Sequence, residues 1–208
     1  MKFFNIRTLS RSLIILVSSS ILFVGCMGYN KTKKDSSPKK KMMKMKPPMG
    51  SAQDVSESNA LWKSLTAARL VGKRARKSRP YKGQHPHGAV LETLHRKITV
   101  NGHKGIAIVK RNYGGPGVSN SRVRRNRAKY LKAITVMFKR ELGYDSANKD
   151  WFYAKYKANG DLHVKKMKNG MQVKLAGRVA KGMPSGCISC HKAAGGGDYV
   201  FSTKIRLK

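Results

Sequence analysis

The 208-residue chain predicts a mainly β, α+β fold: an antiparallel sheet with one helix before it and a short cysteine-bearing turn after it. Three observations carry the prediction. Apolar residues alternate with period two at Ile98 and Val100, at Ile134, Val136 and Phe138, and in the aromatic run Trp151-Phe152-Tyr153 with Tyr156, as half-buried strands require. Asn-Gly pairs at 101–102, 159–160 and 169–170 supply hairpin turns. Leu61, Trp62, Leu65 and Leu70 recur at near-helical spacing, which predicts a helix over 58–77 with Pro80 marking its stop.

In order, residues 1–25 read as a cleavable leader, because Lys2, Arg7 and Arg11 precede an apolar run from Leu13 to Val24. Gly25-Cys26 closes that run as a bacterial lipobox does, with Phe23 where leucine is usual and Leu22 one step further out. Cys26 is the candidate lipid anchor, and the expected place is a periplasmic, membrane-anchored lipoprotein. A retained membrane anchor and a soluble secreted product are the alternatives.

Residues 26–56 form a lysine- and methionine-rich tether without apolar periodicity, too polar to build a core and able to lie on anionic headgroups. Copper binding by Met42, Met43, Met45 and Met49 is not expected, since interleaved lysines repel a cation. The folded domain is expected over 57–208.

Within it, His85-Pro86-His87-Gly88 reads as a turn before it reads as a metal site. Gly105 to Arg111 reads as the second strand of the first hairpin, where Lys110 shares a face with Ile106 and Ile108. Two readings of Lys110 stay open: a strand-end lysine snorkelling to water, or an inward amine. Gly114 to Asn126 is a glycine- and arginine-rich surface connection that turns helical before Tyr130.

Cys187-Ile188-Ser189-Cys190-His191 carries the chemistry. Two thiols three positions apart can each form a thioether with a vinyl group of one haem, and the next residue delivers an imidazole beneath the iron. One covalent haem c is therefore expected, with Cys187 and Cys190 as thioether donors and His191 as axial ligand. A structural zinc site needs four ligands, and the only other cysteine, Cys26, sits at the leader junction. A thioredoxin-like pair normally accompanies a βαβ pattern, which this stretch lacks. Phe138 and Phe152 are candidates for an apolar pocket wall, the competing reading being plain core.

Lys and Arg number 45 against 9 acids, a formal charge of +36. In a cytoplasmic protein that would suggest nucleic acid; behind an export signal it points to an anionic membrane surface or an acidic redox partner protein. Nucleic acid is not expected as a partner. A solvated basic surface without any partner accounts for the charge equally well.

The order of pieces resembles the cytochrome P-460 and cytochrome c′-β family over roughly residues 60–205. The resemblance runs through Pro86-His87-Gly88, Val100-Asn101, Ile108-Val109-Lys110, Val136-Met137, Asp150-Trp151-Phe152, the haem motif and Asp198-Tyr199-Val200-Phe201. It implies an antiparallel β fold, commonly a homodimer, around a five-coordinate haem with His191 proximal and an open distal site. It also implies that Lys110 occupies the position of the lysine that cross-links to the haem edge. The P-460 branch places a carboxylate near the distal face for hydroxylamine oxidation; here that strand reads Ile134-Thr135-Val136-Met137-Phe138, and Glu141 is the nearest acid.

Three functions follow as expectations. The first is an oxidoreductase acting on a small nitrogen species, hydroxylamine or nitric oxide. The second is a nitric-oxide-binding module. The third is a simple electron carrier, which needs a second strong ligand. The 17 residues after His191 contain neither His nor Met, so that ligand would come from upstream, with Met183, His163 and His103 as candidates.

Overall fold

The computed structural model describes residues 48–201. The expected leader, the anchor Cys26 and most of the tether lie outside the described residues. Among the described residues no helix is long and apolar enough to cross a membrane.

Helix α1 spans Ala52–Ala67, beginning and ending earlier than the spacing predicts. Its start is set by a capping box: the Ser51 hydroxyl accepts from the Asp54 amide while the Asp54 carboxylate accepts from the Ser51 amide, each at 3.1 Å. Its end comes at Arg69, which turns left-handed at φ 59°, and the Leu70 amide reaches back to the Leu65 carbonyl at 2.9 Å. Leu70 is still buried, but from the cap and not from the helix. Met49, expected in the tether, is 2% exposed and bridges to Gly177, so the folded part starts before residue 57.

The sheet is antiparallel and six-stranded: β1 (Tyr81–Lys82), β2 (Val90–Val100), β3 (His103–Tyr113), β4 (Leu131–Lys139), β5 (Trp151–Tyr156) and, beyond a separate hairpin, β8 (Ala176–Gly177). Neighbours along the sheet follow chain order from β1 to β5, with β8 against β5. The hairpin is β6 (Val164–Lys166) with β7 (Gln172–Lys174), turned at Asn169-Gly170. At Asn101-Gly102 both residues have positive φ, as a tight β2–β3 turn needs. Helices α2 (Asn120–Arg125) and α3 (Arg127–Tyr130) lie between β3 and β4, and α4 (Cys187–His191) closes the chain's chemistry. The predicted mainly β fold, with its helix in front and its cysteine turn behind, is the fold observed.

Strand parity separates two cores. Val109, Val136, Phe138, Phe152 and Tyr156 point toward α1 and pack with Leu61 and Leu65. Ile106, Ile108, Met137, Trp151 and Tyr153 point the other way, onto Ile188 and Tyr199. Each large apolar side chain removed from water contributes about 1.5–3 kcal/mol, so both faces stabilise the sheet.

The α1 side also buries a carboxylate. Glu92, wholly enclosed, accepts from Tyr113 Oη at 2.6 Å, from Arg111 at 3.2 Å and from Arg127 at 2.8 and 2.9 Å. Arg111 in turn donates to the Leu70 carbonyl at 3.0 Å, tying the end of α1 to β3.

Candidate haem site

The cysteine motif folds as the single turn α4, which puts Cys187 and Cys190, three apart, on one side and Ile188 inward in the second core. The chain can enter this turn only through glycine. Gly186 has φ 137°, and a Cβ there would lie 2.2 Å from the Ala180 methyl. Neither thiol is in a disulfide; Cys190 is exposed and Cys187 half-buried, its pKa pushed up to about 11 by burial.

His191 is 5% exposed. Its Nδ1 lies 2.7 Å from the Tyr199 carbonyl, which can only accept, so Nδ1 carries the proton and Nε2 keeps its lone pair for a metal. Burial, joined by the charge of Lys110, lowers the His191 pKa and keeps the ring neutral even though the Tyr199 carbonyl pulls the other way. The segment that supplies this carbonyl is fastened to the sheet. Trp151 Nε1 donates to the Asp198 carbonyl at 3.0 Å, and Lys139 Nζ pairs with the Asp198 carboxylate at 2.9 Å.

His191 opens onto a cleft lined by His87, Ile108, Lys110, Thr135, Val136, Met137, Tyr153, Ala154 and Cys187. Register explains the grouping, because β3, β4 and β5 place Ile108, Met137 and Tyr153 side by side and Lys110 beside Thr135. Lys110 therefore takes the inward reading; burial lowers its pKa, which favours the uncharged amine.

Phe138 and Phe152 are not in this wall. Both are 0% exposed in the α1-side core, one residue out of phase with the cleft, and Met137 and Tyr153 stand where they were expected. The Tyr153 ring lies 5.7 Å from that of His191, and its buried hydroxyl has no partner among the described residues.

His87, which the sequence reads as part of a turn before it reads as a metal ligand, also belongs to the cleft. Its backbone does form a turn over His85–His87, yet its side chain reaches the cleft and its ring lies 6.1 Å from that of His191. Burial, then the charge of Lys110, lowers its pKa to about 4, so the imidazole is neutral at ordinary pH. No pattern in the sequence marks it beyond the His-Pro-His spacing.

The other upstream candidates stand elsewhere. His103 contacts the Lys139 carbonyl and the edge of Phe138 on the α1 side, and neither His163 nor Met183 lines the cleft. Glu141 is exposed and paired with Arg140 at 2.7 Å, and among the described residues no carboxylate lines the cleft.

This donor set fits a haem. Two free thiols one turn apart, a neutral imidazole with Nε2 available, apolar walls from Ile108 and Met137, and an orphaned tyrosine hydroxyl meet at one cleft. Bound there, haem c supplies an iron for small ligands and one-electron chemistry.

Fold and site together define a c-type cytochrome built on an antiparallel sheet rather than a helical bundle. The sequence model of the family "Cytochrome P460" matches residues 68–202, and the chain belongs to that family, which carries covalently attached haem c. Among curated proteins and among solved structures nothing matches the chain.

Proposed function

We propose that the protein is an exported, lipid-anchored cytochrome that acts on a small nitrogen species, hydroxylamine or nitric oxide, at its haem iron and exchanges electrons with a redox partner protein. The supporting observation is the cleft, which gathers Lys110, Thr135 and His191 in largely apolar surroundings. Cys26 and the lysine-rich tether would hold it to an anionic membrane surface, and a homodimer is the expected assembly. In cells competent in cytochrome maturation, the purified protein should reduce an added acceptor when given hydroxylamine. Turnover no faster than free haem would remove the enzymatic reading.

A second reading, nitric oxide capture, is favoured by the absence of a carboxylate from the cleft lining, since hydroxylamine oxidation needs a group to take up protons. It predicts nitric oxide uptake by the ferrous protein without hydroxylamine turnover. Lys110 is proposed as the cross-linking lysine in either case. Mass spectrometry of haem peptides should show Lys110 joined to the porphyrin, and an unmodified Lys110 peptide at full yield would exclude it.

A further inference from the structure

We infer that His87 is the second axial ligand of the haem iron, so that two imidazoles close the resting site and a small molecule enters by displacing one of them. This rests on the haem c reading and departs from the vacant distal site that the resemblance implies. The first observation is spacing. The His87 and His191 ring centres are 6.1 Å apart with their planes at 85°. Two imidazoles bonded to one metal through bonds of about 2 Å bring their ring centres to about 6 Å. Edge-to-face packing spans a range of about 4.5–7 Å that includes this distance, so the nitrogen atoms must discriminate.

On each ring Nδ1 meets a protein oxygen, a carbonyl that fixes the tautomer at His191 and a hydroxyl that can donate or accept at His87. His191 Nδ1 is held by the Tyr199 carbonyl at 2.7 Å, and His87 Nδ1 faces Thr135 Oγ1 at 3.3 Å. Among the described residues, neither Nε2 has a protein partner in the cleft. A histidine that ligates a metal typically engages its other nitrogen with a protein oxygen in this manner, fixing tautomer and ring plane.

Thr135 is itself positioned, receiving Asn112 Nδ2 at 3.4 Å and sitting opposite Lys110 in the sheet register. The backbone under His87 is equally constrained. The His87 amide donates to the Gln84 carbonyl at 2.9 Å, and Gly88, at φ 116°, lies so close to Tyr113 that a Cβ would be 2.8 Å from its carbonyl oxygen. The loop is thus seated on the end of β3, and His87 projects from it into the cleft. His103, His163 and Met183 offer no competitor there.

The test is the ferric absorption and electron paramagnetic resonance spectrum of the full-length holoprotein, with His87→Ala and His87→Met beside it. The wild type should be low-spin, His87→Ala high-spin, and His87→Met low-spin with altered bands. Added imidazole should return His87→Ala to the low-spin form. Carbon monoxide binding to the ferrous wild type should level off with concentration, limited by departure of His87, and become linear and at least tenfold faster in His87→Ala. A high-spin wild type, or a low-spin spectrum that persists in His87→Ala, overturns the inference. Protein recovered without colour overturns the haem reading instead, and with it any axial role for His87.

Discussion

The two faces of the central sheet treat their ionisable groups differently. On the α1 side both oxygens of Glu92 are satisfied by Arg111, Arg127 or Tyr113 amid apolar packing, while the Tyr144 hydroxyl, packed against the same core, is buried without a partner among the described residues. On the cleft side the Tyr153 hydroxyl is buried without a partner among the described residues, and Lys110 and two imidazoles stand among apolar side chains. A face whose buried charge is fully paired is finished by the polypeptide alone. A cleft that gathers an amine, two imidazoles and an idle hydroxyl among apolar side chains is complementary to something the polypeptide does not contain.

The largest expected effect tests the finished face. Glu92→Ala leaves the Arg111 guanidinium buried without its charge partner, which should cost about 3–5 kcal/mol in urea denaturation. Burial pushes the Glu92 pKa up, but hydrogen bonds from Arg127 and Tyr113 outweigh it and hold it below the ordinary 4.5. A depressed folded pKa means a stabilisation that is fully present above pH 4.5 and is lost as pH falls through the folded value. The wild type should therefore weaken below that point more steeply than Glu92→Ala. Parallel slopes would show that the carboxylate is not held as described.

A pair of neighbours sharpens the contrast. Phe152→Ala empties a closed core and should cost about 3–5 kcal/mol. Tyr153→Phe removes a hydroxyl that no group among the described residues satisfies, and an unsatisfied buried group costs about 1–3 kcal/mol, so the urea midpoint should hold or rise. Its haem spectrum should shift while that of a folded Phe152 variant does not. A midpoint that drops in Tyr153→Phe would mean that the cleft face is self-sufficient after all.

The smallest effect lies where the two regions meet solvent. Lys139 and Asp198 are each about one-third exposed, so Asp198→Ala should cost less than about 1 kcal/mol in thermal denaturation, with haem retained.

The fold was legible because its signals are local. Alternation over Ile134 to Phe138 and the Asn-Gly turns each depend on a few adjacent residues, and they place β4 and the hairpins where they occur. The boundaries of α1 were less so, since an arginine at a left-handed cap leaves no mark in composition. Phe138 and Phe152 show where local reading stops. Alternation says that a strand has two faces but not which one meets the haem, and that choice depends on β4 lying between β3 and β5.

The linear order of residues was enough to place haem c attachment at Cys187 and Cys190 and an axial imidazole at His191, because those three groups act within one turn of chain. Pairing across the sheet brought together His87, Lys110, Thr135 and Tyr153, which lie up to 66 residues apart in sequence. Their meeting is set by register and by the seating of the β1–β2 loop on Tyr113, long-range contacts that have no signature in any short window of sequence.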